Sequence, residues 1–253
     1  MQNITTLLKE IEESRNIKIL YACETGSRAW GFPSPDSDFD VRFIYMHNRD
    51  WYLSLADKKD TIELPIKDDL DITGWDLKKC LSLLKKSNAA LIERLQSPIE
   101  YFADRDFKND FQKLIASYYS PTAVFYHHYK LAKKFWEDIK DSNEIKLKGY
   151  FYLVRSLLSC NWIVKDNTVL PMDIEGLMNL TTEANRSILR ELIVLKATVS
   201  EKYLHPKNAK LHQLAVELFD FIEPSKDGLG INDNSYELMD KFFLKMLNEN
   251  ANN

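Results

Sequence analysis

Glycine and proline are scarce in this sequence, at 7 and 8 of 253 residues. That excludes collagen-like and low-complexity architectures, which need far more of both. Cysteine is scarcer still. Cys23, Cys80 and Cys160 are odd in number and widely spaced, which excludes a disulfide framework or a zinc-type spacing. Each reads as a small buried apolar residue, and the implied compartment is reducing. No run approaches the roughly 20 apolar residues of a membrane-spanning helix. The first residues, Met1-Gln2-Asn3-Ile4-Thr5-Thr6, lack the basic start and apolar core of a secretory signal. The expectation is a cytoplasmic protein with no membrane partner. A basic excess is also missing, because 34 Lys and Arg against 38 Asp and Glu leave a net charge of -4. Coating of long nucleic acid through its phosphates is therefore not expected. A small acceptor, a protein acceptor, or an RNA end held by a local basic patch all stay open.

What remains is an ordinary globular composition, 45% hydrophobic and 28% charged, in a chain long enough for one large domain or two small ones. Only the last residues, 248–253, read as a disordered tail. Residues 5–15 carry Leu7, Leu8 and Ile11 at helical spacing. Ile17–Ala22, Asp38–Met46, Thr61–Ile66 and Leu70–Trp75 read as strands, with Lys67-Asp68-Asp69 as a turn between the last two. From Asp76 the period changes to 3.6, through Leu77, Cys80, Leu81 and Leu84. Ser87 is expected to cap a further helix reaching about Gln96, before Pro98. Beyond residue 106 the pattern is helical almost to the end, with breaks near Pro121, Asp141–Asn143, Asn167–Pro171, Pro206 and Pro224–Gly228. The division expected is a mixed-sheet domain over 1–105 and a helical domain over 106–253, an α+β organisation.

The informative segment runs from Gly26-Ser27-Arg28-Ala29-Trp30-Gly31 to Asp38-Phe39-Asp40-Val41-Arg42. Side chains alternate across a strand, so Asp38 and Asp40 share a face, about 7 Å apart along it. Two such carboxylates repel unless a cation sits between them, and hard oxygen ligands suit magnesium. Two ions roughly 4 Å apart would clamp the attacking and leaving oxygens of an in-line phosphoryl displacement. The preceding strand leads into Gly26 and Ser27. Glycine lets backbone approach a phosphate, a following short helix offers free N–H groups, and the Ser27 hydroxyl adds a donor. A bare Gly-Ser pair or an Asp-x-Asp on an exposed strand is commonplace; the combination with apolar Phe39, Val41 and Phe43 on the opposite face is specific. A third carboxylate is expected on a neighbouring strand, to hold metal or take a proton. Asp71 fits best, Asp69 is the fallback, and Asp76 reads as a helix N-cap.

A second candidate group lies at Lys148, Tyr152, Arg155 and Ser159, one stripe of an otherwise apolar helix. It is either a solvent-facing stripe or a surface that holds triphosphate or base. Arg28 and Arg42 either bind phosphate or pair with an aspartate. Trp30 reads as packing before it reads as a base-stacking ring. The five histidines form no metal-like cluster.

The stretch Thr25-Gly26-Ser27-Arg28-Ala29-Trp30-Gly31, with Ser34 and Ser37-Asp38-Phe39-Asp40-Val41-Arg42-Phe43-Ile44-Tyr45, resembles a family of bacterial and phage nucleotidyltransferases of the DNA-polymerase-beta superfamily linked to RNA repair. Leu70–Leu77, Leu95-Gln96-Ser97-Pro98 and Tyr150–Arg155 also look like that family. The resemblance covers about residues 15–165 and weakens beyond. It implies a nucleotidyltransferase-type mixed β-sheet palm with flanking helices, followed by an all-α helical domain. It also implies transfer of a nucleoside monophosphate from a nucleoside triphosphate, ATP foremost, with pyrophosphate leaving. By position, Asp38, Asp40 and Asp71 would be the catalytic metal ligands, holding two Mg2+ or Mn2+ ions. Gly26 and Ser27 would match the phosphate turn, and Arg28, Arg42, Lys148, Tyr152 and Arg155 join them as nucleotide-binding candidates on their own chemistry. The acceptor would be an RNA end, a small molecule or a protein side chain. The competing reading is a regulatory module that binds nucleotide and transfers nothing.

Overall fold

Two periodicities divide the chain, and the elements follow them. A computed structural model describes residues 3–67, 69–232 and 235–251. In chain order the elements begin with α1 (Ile4–Arg15), β1 (Lys18–Glu24), α2 (Gly26–Trp30), β2 (Phe39–Met46), α3 (Arg49–Leu53), β3 (Thr61–Glu63) and β4 (Leu70–Asp76). Then come α4 (Leu77–Lys85), α5 (Ala89–Arg94), β5 (Glu100–Ala103), α6 (Arg105–Tyr118), α7 (Pro121–Ile139), β6 (Glu144–Lys146) and α8 (Leu147–Asp166). The remainder is α9 (Ile174–Met178), α10 (Glu183–Lys196), β7 (Leu204–Pro206), α11 (Ala209–Ile222) and α12 (Glu237–Ala251). Two compact units interleave in sequence: Met1–Thr25, Asp38–Tyr119 and Asn232–Asn253 form one, Gly26–Ser37 and Ser120–Ile231 the other.

The first unit is α+β. Its five-stranded sheet has the order β3-β4-β2-β1-β5, with β2 and β4 parallel and every other pairing antiparallel. β1 is buried along all but its first residue, as expected of an apolar run covered on both faces. On one face Leu8 and Ile11 of α1 pack with Ile19, Val41, Phe43, Tyr45 and Ile72. Gly74 in β4 is required by this packing, because an added Cβ would stand 2.2 Å from the Phe43 ring. Asp76 caps α4, its Oδ1 accepting from the Lys78 N–H at 2.8 Å. α12 packs on α4 and sets Phe242 against Phe107 and Phe111.

Four local expectations need correction. Ser87 has φ 50, in the left-handed region, and the cap of α5 is Asn88, whose side chain accepts from the Leu91 N–H. The strand expected over Thr61–Ile66 stops at Glu63, two residues before Pro65, which has no N–H to donate to a ladder. The tail expected from residue 248 is helical through Ala251; residues 252 and 253 lie outside the described residues, as does Asp68 in the turn before β4. Finally, β5, β6 and β7 went unanticipated, being runs of four, three and three residues too short to display a period.

The second unit is helical apart from a two-stranded ribbon of β6 and β7. α8 is its centre, packing on α7, α9 and α11. Ser120 caps α7 with Pro121 in the first turn, where its missing N–H costs nothing. α8 ends at Asn167 in the left-handed conformation. Phe151 of α8 stacks on Phe32 at 4.7 Å. No helix among the described residues is long and apolar enough to cross a membrane.

Candidate active site

The parallel pairing of β2 with β4 sets Asp40 opposite Asp71 and Arg42 opposite Thr73. Period two puts Val41, Phe43 and Tyr45 into the core and leaves Asp40 and Arg42 on the other face. The two carboxylates keep about a third of their surface, at 31% and 30% side-chain exposure. The Arg42 guanidinium holds both of them. Its Nη2 donates to Asp40 Oδ1 at 3.0 Å and to Asp71 Oδ2 at 2.7 Å, while Nη1 donates to the backbone oxygens of Val41 and Asp71. Of the two roles open to Arg42, pairing with aspartate is the one present. Asp38 is exposed and stands one residue before β2 begins. Asp69, with φ 61, lies just before β4.

Behind the pair lies a support the sequence reading missed. Glu24, at the end of β1, is fully buried. Its Oε1 accepts from the Asp40 N–H at 2.7 Å and its Oε2 accepts from the Tyr101 hydroxyl. The Asp40 carbonyl in turn accepts from the N–H and hydroxyl of Thr25, at 2.9 and 3.1 Å. The backbone of Asp40 is thus held on both sides, and its carboxylate stays presented. A glutamate closing an apolar strand two residues before Gly26 was the available signal; its partner Tyr101 sits on an edge strand too short to anticipate.

The donor set at this sheet end fits a hard divalent cation. Asp40 and Asp71 offer carboxylate oxygens in register, and Asp38 is an exposed third carboxylate two residues from Asp40. Among the described residues no group of three or more His, Cys, Asp or Glu is already gathered around one point. An ion at Asp40 and Asp71 would take over lone pairs now used by Arg42.

Gly26 begins α2 with φ 64, a conformation open to glycine at little cost. It follows Thr25 directly in the chain, and belongs with Ser27, Arg28 and residues 29–37 to the second unit. There Ser37 Oγ is a hub. It accepts from Ser27 Oγ at 3.1 Å and from the Ser34 N–H at 2.9 Å, and donates to Glu201 Oε1 at 3.1 Å. Arg28 Nη2 donates to the Ser37 carbonyl at 2.7 Å. Glu201 Oε2 accepts from Lys148 Nζ at 2.8 Å. Lys196, only 1% exposed, donates to Ser34 Oγ at 2.8 Å.

The polar stripe of α8 meets this loop. Tyr152 sets its ring edge-on to Trp30 at 5.2 Å. The Arg155 guanidinium lies 4.3 Å from the Trp30 ring centre and donates to the Met172 carbonyl. With Arg155 at 5% exposure and Ser159 at 0%, the C-terminal half of the stripe is buried, while the Lys148 side chain is 44% exposed. Trp30 packs as expected. Glu201 and Lys196 were not singled out from sequence. A lysine near a helix end and a glutamate in a loop look solvated, and only the fold brings them to Ser34 and Ser37.

Over residues 1–245 the chain matches the RNA repair pathway DNA polymerase beta family, RlaP. It is 42% identical over 229 residues to the uncharacterized protein YcgL of Bacillus subtilis (strain 168), covering 89% of this chain and 88% of that protein. A solved nucleotidyltransferase-like protein from Exiguobacterium sibiricum 255-15 is 12% identical, covers 89% of this chain and 75% of that one, and gives a TM-score of 0.29. A superposition that loose carries no argument. The family match does, since it spans the β2 and β4 carboxylates, the Gly26–Ser37 loop and α8 together. The chain belongs to the RNA repair pathway DNA polymerase beta family.

Proposed function

We propose that the protein is a magnesium-dependent nucleotidyltransferase. It moves a nucleoside monophosphate from a nucleoside triphosphate, with ATP the first to test, onto an acceptor hydroxyl, and pyrophosphate leaves. The family description points to an RNA end as the acceptor. The observation that carries the reading is the parallel register that sets Asp40 against Asp71 on one sheet face, with Asp38 two residues away. Asp38, Asp40 and Asp71 would hold the metal. Bound there, magnesium would polarise the reacting phosphate and offset charge on the pyrophosphate. Asp71 is also the group to accept the acceptor's proton. The acceptor oxygen then bonds to the α-phosphorus as the α–β bridging P–O bond breaks, and the bridging oxygen departs with the pyrophosphate. Ser27 and the N–H groups after Gly26 would donate to phosphate oxygens. Arg28, Lys148, Tyr152 and Arg155 are assigned to the nucleotide in the same proposal, and Arg42 would join them only on release from Asp40 and Asp71.

One observation favours a second reading. Arg42 already neutralises Asp40 and Asp71, as it would in a regulatory module that binds nucleotide and transfers nothing. A single experiment separates the readings. The protein is incubated with α-labelled nucleoside triphosphates, magnesium, and separate pools of RNA, protein and small metabolites. Label should enter one pool with wild type and not with Asp40→Asn or Asp71→Asn. Label in the protein pool alone would identify an AMP-transferring protein modifier. Transfer unchanged in both variants would overturn the metal assignment, and no transfer to any pool would leave the binding module.

A further inference from the structure

The second unit contains an open cavity of about 420 Å³ beside the first turns of α8, a volume within the range of small-molecule sites. Its apolar walls are Phe135, Ile139, Ile145, Gly149, Tyr152 and Leu204, and its polar lining sets Lys146 and Lys148 beside Asp138, Ser142 and Glu144. The Phe135 and Tyr152 rings stand 5.0 Å apart, tilted by 56°. The Lys148 ammonium is 6.0 Å from the Tyr152 ring centre, and its side chain is 44% exposed.

Gly149 is the feature that packing does not explain. Glycine inside a helix is disfavoured relative to alanine, and here neither backbone nor crowding demands it. An added Cβ would meet only Ile139 at 3.6 Å and Ile145 at 4.0 Å, ordinary contacts, and its φ is not positive. What the missing side chain leaves is room at the cavity floor, one turn before the Tyr152 ring. From the rim, Lys148 is joined through Glu201 and Ser37 to Ser27, three hydrogen bonds in series. A flat ring against Gly149 and the two aromatics, with a cation at its edge and a hydroxyl-bearing loop beyond, describes a nucleotide. Aromatic rings stack on any nucleobase.

We propose that this cavity holds the heterocyclic base of a nucleotide, with Lys148 on the phosphate side. The inference rests on the nucleotide-transfer reading above. The base would belong either to the triphosphate donor or to the terminal nucleotide of an acceptor strand.

The test fills the cavity and measures binding with three probes in magnesium: ATP, inorganic triphosphate, and a short single-stranded oligoribonucleotide. Gly149→Leu fills it from the helix. Leu204→Trp fills it from β7, at a position 47% exposed, so that one variant folds if the other does not. The expected result is about a tenfold loss of ATP or oligonucleotide affinity, an unchanged affinity for inorganic triphosphate, and a melting temperature that does not fall. Loss confined to ATP assigns the base to the donor; loss confined to the oligonucleotide assigns it to the acceptor. Unchanged affinity for both in a folded variant overturns the inference, as does an equal loss for inorganic triphosphate. Failure of the transfer reading itself would appear elsewhere, as wild-type protein that puts label into none of the RNA, protein or metabolite pools.

Discussion

Replacing Arg42 by Gln removes the cation that holds two aspartates together, and the cost can be worked from the geometry. One nitrogen of Arg42 lies 3.0 Å from Asp40 Oδ1 and 2.7 Å from Asp71 Oδ2, so those oxygens are no more than about 6 Å apart. At that separation two like charges repel by about 3 kcal/mol at an effective dielectric near 20. Both carboxylates are about one-third exposed, so solvent screening reduces this to about 1–2 kcal/mol. Loss of the charged donor to the Asp71 carbonyl adds about 1 kcal/mol. For a chain of this length each kcal/mol lowers the melting temperature by about 2–4 °C, so Arg42→Gln in EDTA should melt about 4–12 °C below wild type. Magnesium or manganese should then raise the variant's melting temperature more than wild type's, because the ion no longer competes with the guanidinium. Thermal melts of both proteins, with EDTA and with each metal, are the assay. A variant that melts with wild type in EDTA, or gains no more from metal, would refute the reasoning.

Three further perturbations read other parts of the structure. Glu24→Gln and Tyr101→Phe each weaken the hydrogen bonds that brace Asp40, so each should cost about 0.5–1.5 kcal/mol in denaturant melts; because they share a bond the double variant should cost less than their sum, and strict additivity would count against the arrangement. Burial pushes the Asp76 carboxyl up to about 6, so the folded state binds its proton more tightly than the unfolded chain, near 3.9. Stability should therefore fall as pH rises from about 4 to about 6, by up to about 3 kcal/mol, and Asp76→Asn, which can still cap α4, should flatten that slope; superimposable pH profiles would be the contrary result. Gly74→Ala would drive a methyl into the Phe43 ring at a cost of about 1–3 kcal/mol, and Phe43→Leu in the same chain should recover part of it in urea melts.

The features legible in the sequence are those set by neighbours along the chain. Asp40 and Arg42 alternate with Val41 and Phe43, and period two needs no tertiary information to put them on opposite faces; Asp38, expected on the same strand, stands one residue before β2 begins. Asp71 was legible for the same reason, as a carboxylate flanked by Leu70 and Ile72 in a strand. Asp76 as a cap, Trp30 as packing, and the three cysteines as buried thiols are likewise local or compositional inferences. Where the local signal was divided, the observed cap of α5 lies one residue beyond the expected one. Both Ser87 and Asn88 are competent caps, and the positive φ of Ser87 decided between them.

Other features depend on register between segments far apart in sequence. The pairing of Arg42 with both aspartates requires β2 and β4 to be parallel and in step. The bracing of Asp40 requires Glu24 and Tyr101, separated by 77 residues, to meet across β1 and β5. Lys196 reaches Ser34 over 162 residues, and Glu201 reaches Ser37 over 164. Chain-local patterns specify which face a side chain takes, because backbone geometry repeats every two or 3.6 residues. Which distant side chain it meets is decided by packing of whole elements, and that energy is a sum over the core with no counterpart in any short stretch. By itself, then, the sequence determined the carboxylates, the Gly-Ser turn and the type of element that carries them. The tertiary structure alone decided that Arg42 closes the aspartate pair, that Glu24 braces it, and that Gly149 opens onto a cavity.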